Sequence, residues 1–255
     1  MILAIASQKG GVGKTTTAQT LAAGLTNQKK KTLLIDLDPQ CNLTYSCGID
    51  PDKTEYDIAD VLQKKTTAKV AVSHTAESDI IPGNYLLTDA DIRFSGKRRE
   101  YLLSDAIAPI KENYDFIIID CPPTIGILTI NALTASDSVL IPLTASIYSL
   151  QGLGQLFDSI TMVKTHCNNN LSINGLLLTR YRKTNVAEQA KEAIKGVADR
   201  LKTKMYDTVI REGVAAIECQ LARESVFKYS PRSNVAKDYE MFIKEFLKGV
   251  RKNGK

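Results

Sequence analysis

The sequence is poor in the residues that bind metals or cross-link small folds. Its five cysteines, Cys41, Cys47, Cys121, Cys167 and Cys219, are scattered, odd in number and without a CxxC pair. Neither a disulfide framework nor a zinc site is indicated, and a reducing, cytoplasmic setting fits. The only two histidines, His74 and His166, lie in polar surroundings that suggest neither a metal nor a general-base role. No run of about 18 apolar residues occurs, and Met1 leads into the apolar ILAIA with no basic stretch before it. Neither a membrane span nor a signal peptide is expected. A Pro/Gly/Ser-rich linker, an internal repeat and the Asn-Lys-x-Asp motif that reads guanine are also missing. One compact domain over residues 1–255 is the expectation.

What is present is a regular alternation. Short apolar, β-rich runs at 2–6, 32–36, 79–83, 115–120, 138–143, 174–179 and 207–210 read as strands buried on both faces. Helix-like patterns fall near 15–26, 56–63, 97–108, 127–135, 150–165, 185–201 and 235–249. The spacing predicts an α/β fold: a doubly wound, mostly parallel sheet with helices on both faces. Ligands of such sheets bind beyond the carboxyl ends of the strands. Charge is unevenly placed: residues 1–150 hold 14 Lys/Arg against 17 Asp/Glu, whereas residues 151–255 hold 19 against 11, a local excess of +8. A basic C-terminal part admits a polyanion-binding face or a solvated helical surface.

The first loop reads Lys9-Gly10-Gly11-Val12-Gly13-Lys14-Thr15-Thr16 between a strand and a helix. Glycines let main-chain N–H groups approach a phosphate chain, while Lys14 faces the β/γ oxygens and the Thr15 hydroxyl faces Mg²⁺. FIIIDCPP ends a buried strand in Asp120, a carboxylate suited to hold Mg²⁺. IDLDPQ supplies Asp38, which could orient an attacking water, and Asp36, closer to the strand, which reads as structural.

These motifs, with INALTASDSVLIPL, GLGQL, GLLLT and YSPRS in order, resemble the ParA/Soj branch of the deviant Walker A ATPases, which also includes MinD and the nitrogenase iron protein. The resemblance runs from Ile2 to the final helix and implies a single P-loop ATPase domain that uses ATP and Mg²⁺. In similar proteins the early lysine, here Lys9, reaches the phosphates of a second subunit in an ATP-sandwich homodimer. Lys14, Thr15, Thr16, Asp38 and Asp120 carry over as phosphate, magnesium and water-orienting positions. By the same resemblance adenine lies between Thr179 and Arg180 on one side and Ile210 and Arg211 on the other.

The family further implies non-specific binding of double-stranded DNA, a nucleoid-associated location and discharge by a ParB-like, centromere-binding partner. Three departures stand out. Cys41 replaces the usual glycine of PQGN, and TASIYSLQGLGQL loses acidic residues. An arginine implicated in DNA binding in relatives falls on Ala215, so Lys183, Arg211, Arg223, Lys228 and Arg232 become the candidate DNA contacts. No helix-turn-helix extension precedes the loop, so binding to a specific operator is not expected. The alternative is a MinD-like, membrane-associated ATPase. Its candidate anchor is the final helix, with Tyr239, Phe242, Ile243, Phe246, Leu247 and Val250 at helical spacing, a stripe more often used for core packing. A third reading, an iron–sulfur reductase, would need two suitably placed cysteines, and Cys121 reads as incidental.

Overall fold

A computed structural model describes residues 1–253. The chain runs β1 (Ile2–Ile5), α1 (Lys14–Asn27), β2 (Thr32–Asp36), α2 (Asn42–Ser46), α3 (Ile58–Leu62), α4 (Ala68–Ala71), β3 (Ser73–His74) and β4 (Asp79–Ile81). It continues through α5 (Ala90–Arg93), α6 (Leu102–Ile107), β5 (Phe116–Asp120), α7 (Ile127–Ala135), β6 (Ser138–Thr144), α8 (Ile147–His166) and β7 (Ser172–Thr179). The last helices are α9 (Asn185–Arg200), α10 (Ala215–Leu221), α11 (Val226–Tyr229) and α12 (Asn234–Asn253).

The described strands form one sheet in the order β3-β4-β2-β5-β1-β6-β7. All pairs are parallel except the edge pair β3–β4. Strand order therefore reverses at β1, which lies between β5 and β6, and that reversal opens a crevice above the end of β1. Alternate side chains of each strand enter different cores. Leu3, Ile5, Leu34, Ile118 and Leu140 face α1 and α12, while Ala4, Leu33, Ile35, Ile119 and Ile141 face the helices of the opposite layer. Continuous apolar runs such as FIIID are the consequence, because both faces of these strands are dry. Local caps set the helix starts. Asp57 accepts from the Ala59 and Asp60 amides to open α3, and the Thr184 hydroxyl accepts from the Ala187 amide to open α9.

The expected strand at 207–210 does not form. Main-chain bonds to β7 are made by Tyr206 N–H to Leu176 and Ile210 N–H to Leu178, but the intervening amides of Asp207 and Thr208 donate to the Glu245 carboxylate of α12. A helix side chain thus holds these two amides, and among the described residues only isolated bridges form here, Leu176 with Met205 and Tyr181 with Arg211. Helices α10 and α11, at 215–229, were not legible as periodic patterns. The stripe of α12 is core. Tyr239, Phe242, Ile243 and Phe246 are buried, and Leu247 and Val250 pack against the same cluster. Contact with α1 is close enough that a Cβ on Gly24 would lie 2.2 Å from Ile243 Cδ1 and 2.9 Å from the Phe227 ring. The apolar surface needed by a membrane anchor is already covered, and none of the described helices is long and apolar enough to cross a membrane.

Candidate nucleotide site

The loop after β1 turns into α1 through Gly11 (φ 71°) and Gly13 (φ 81°), a left-handed conformation that side chains disfavour. The first amides of α1 then have no acceptor within the helix and face the crevice as donors. Lys14 is 7% exposed, with its ammonium 3.5 Å from the Lys9 carbonyl. The Thr15 hydroxyl donates to Asp120 Oδ2 at 2.6 Å. Asp120 is fully buried, and its Oδ1 has no hydrogen-bond partner among the described residues. Burial, with Asp36 close by, pushes its carboxyl well above the usual range, against the pull of Thr15 and Lys14. An unpaired, dehydrated carboxylate oxygen beside a threonine hydroxyl is a fitting hard-cation ligand set, and Thr15 and Asp120 are the residues that would hold Mg²⁺.

β2 ends in the second acidic pair. Asp36 accepts from the Thr44 amide at 2.9 Å, the Thr44 hydroxyl at 2.7 Å and the Asp38 amide at 3.1 Å. It holds the loop after β2 in shape, and burial raises its carboxyl to about 6. Asp38 lines the crevice, with its Oδ1 accepting from the Gln40 amide at 3.0 Å. Cys41 sits in the left-handed region at φ 54°, a conformation that side chains disfavour. Its side chain is 3% exposed, and burial drives the thiol up to about 12, so it is an inert filler rather than a nucleophile.

The opposite wall comes from the end of β7 and the 210–220 segment. The cavity between the walls measures about 460 Å³, and Thr179, Arg180, Ile210 and Arg211 line it together with Gly10, Gly11, Gly13, Lys14, Thr15 and Thr16. Val12 takes part through its main chain, its carbonyl accepting from the Thr179 hydroxyl at 2.6 Å. Arg180 donates to the Gly11 carbonyl at 3.0 Å and to Glu212 at 3.1 Å, and Arg182 also pairs with Glu212. Arg211 forks onto buried Asp238 of α12 at 2.6 and 2.9 Å. Its guanidinium is thereby fixed as part of the wall. Glu212, Gly213, Ala216, Ile217, Gln220 and Tyr239 also line the cavity and were missed by sequence reasoning, because no local pattern marks them. The Tyr239 hydroxyl shares a 3.0 Å hydrogen bond with that of Thr17.

Lys9 lies elsewhere. It is exposed and outside the lining of this cavity, with its ammonium 3.4 Å from the Thr144 hydroxyl and 3.3 Å from that of Ser146 at the end of β6. Among the candidate DNA contacts, Lys183, Arg223 and Arg232 are exposed, Arg223 lying 6.0 Å from the Tyr45 ring. Lys228 is exposed and pairs with Glu224 at 2.8 Å, and Arg211, though its side chain is 47% exposed, is held by Asp238 beside the cavity.

A glycine-turned loop opening a helix at the switch point of a parallel sheet, with a dry lysine and an unpaired acid beneath it, defines a P-loop nucleotide-binding protein. The sequence pattern of the AAA domain family matches residues 1–173. Sporulation initiation inhibitor protein Soj of Bacillus subtilis (strain 168) is 42% identical over 248 residues, covering 96% of this chain and 97% of that protein. Chromosome partitioning protein ParA of Myxococcus xanthus (strain DK1622) is 37% identical over 251 residues, covering 97% and 88%. The chain belongs to this family, in its ParA/Soj branch of partition ATPases. Among solved structures it is similar to cobyrinic acid a,c-diamide synthase from Mycobacterium smegmatis with bound ADP and magnesium, at a TM-score of 0.86 and 34% identity, covering 98% of this chain and 95% of that one.

Proposed function

We propose that the protein is a Mg²⁺-dependent DNA-partition ATPase whose ATP-bound form is a face-to-face homodimer. In this reading ATP lies in the crevice, with its phosphates on the α1 amides and Lys14 and its adenine between Thr179 and Arg180 on one side and Ile210 and Arg211 on the other. Thr15 and Asp120 would hold Mg²⁺, which would supply charge neutralisation to the phosphoryl oxygens. Asp38 orients the attacking water. Lys14 and the α1 amides stabilise the same charge, and Arg180 braces the loop through the Gly11 carbonyl. Dimerisation places basic surface from both C-terminal parts on one side. DNA is then bound through phosphates without sequence preference and released when a ParB-like partner stimulates hydrolysis.

The observation that carries this reading is the division of labour between two lysines of one loop. Lys14 is spent inside its own cavity, while Lys9 stands outside it on a hydroxyl-lined shelf, free to turn toward a second copy. Light scattering of the full chain with ATP and Mg²⁺ tests the assignment. The wild type should double in mass, and Lys9→Ala should still bind nucleotide but remain monomeric. A wild type that stays monomeric at every concentration with saturating ATP would sink the dimer.

A further inference from the structure

One residue of helix α10 touches the first turn of α1, just after the phosphate loop. Gln220 lines the nucleotide cavity, and its Nε2 donates to the Thr16 hydroxyl oxygen at 2.7 Å. Thr16 is 8% exposed and stands in the first turn of α1, beside the loop amides. A hydroxyl has a single hydrogen, which it can either donate forward or turn back. Serines and threonines in helices readily turn it onto a main-chain carbonyl of the preceding turn. An N–H arriving on the oxygen takes up a lone pair and leaves the hydrogen to be donated elsewhere. Thr16 lines the cavity, where a phosphate oxygen would be an acceptor within reach of that hydrogen.

We propose that Gln220 is a nucleotide-positioning residue, which sets the Thr16 hydroxyl as a donor toward a phosphate oxygen of the bound nucleotide. The inference rests on the ATP reading above. It assigns to α10 a role that the phosphate-loop motif does not contain. Gln220 acts through Thr16 and has no part in the chemistry of hydrolysis. Its loss weakens nucleotide binding by more than it lowers the stability of the nucleotide-free protein.

Three variants separate this role from a packing role. Gln220→Ala removes the donor and should weaken ADP and ATP binding about three- to tenfold, the range of one hydrogen bond. Gln220→Glu keeps size and shape, but its carboxylate accepts the Thr16 hydrogen and sets a negative charge on the cavity rim, so binding should fall further, by roughly another tenfold. In a Thr16→Ala background, Gln220→Ala should have no further effect, since its target is gone. The measurement is titration of a fluorescent ATP analogue, with ADP competition, on the full chain in Mg²⁺, alongside thermal unfolding without nucleotide.

A wild type that binds no adenine nucleotide would overturn both the ATP reading and this inference. If the wild type binds and Lys14→Ala does not, yet Gln220→Ala or Gln220→Glu binds as well as wild type, the inference alone falls. Additive effects of the Thr16 and Gln220 substitutions, or equal losses of nucleotide-free stability and affinity, would also refute it.

Discussion

Substituting Gly24 tests how tightly the last helix is joined to the first. In an exposed helix, Gly→Ala stabilises by about 1 kcal/mol through backbone propensity. Here the new methyl would stand 2.2 Å from Ile243 Cδ1 and 2.9 Å from the Phe227 ring, and Ile243 is 1% exposed with little room to turn. Overfilling a packed site of this kind costs about 1–3 kcal/mol, so Gly24→Ala should destabilise by about 1 kcal/mol despite its better propensity. Ile243→Val alone should cost about 0.5–1.5 kcal/mol. It also deletes the atom nearest the new methyl. The double variant should therefore be more stable than the sum of the two, by about 1 kcal/mol or more. Urea titration at 25 °C with an unchanged slope gives the four stabilities needed. A stabilising Gly24→Ala, or strict additivity, would refute close docking of α12 on α1 and return its apolar stripe to the surface.

The remaining expectations concern the site and its surroundings. Asp38→Ala should keep ATP affinity and trap the ATP dimer, since the phosphate contacts survive while the water loses its orienting group; phosphate release and light scattering read both effects. Replacing Arg223, Lys228 and Arg232 together by alanine should leave ATP-dependent dimerisation intact. It should also flatten the salt dependence of binding to a random duplex, at about 0.9 in log–log slope per lost phosphate contact, and an unchanged slope would move the DNA surface elsewhere. Cys41→Gly relieves a left-handed backbone worth about 1 kcal/mol but deletes a buried side chain worth about as much. The urea midpoint should move little, and a loss above about 3 kcal/mol would show that the thiol's packing matters more than the turn.

The sheet and its helices were legible because each strand's burial on two faces writes a continuous apolar run, and each amphipathic helix writes a periodic one. The phosphate loop was legible for a different reason: its glycines, Lys14 and Thr15 are consecutive, so the geometry is encoded locally. What could not be read depends on partners far away in the chain. The 207–210 segment has strand-like composition, yet Glu245 takes two of its amides. Arg211 looks like a free cation until Asp238 is placed beside it. Gln220 gains its meaning only from Thr16, 204 positions earlier. Cys41 gave a visible departure, but its left-handed backbone appears only in the fold.

The hydrogen bond between Thr17 and Tyr239 closes a span of 222 residues. Translation delivers the phosphate loop early and the tyrosine that completes its surroundings late, so a ribosome carrying the first two hundred residues holds a loop without a wall. Such long-range closure is slow to form and leaves exposed strands for chaperones to shield in the meantime. Fragments that stop before Tyr239 would carry the motif yet lack the tyrosine that completes the lining and the apolar face of α12 that covers one side of the sheet.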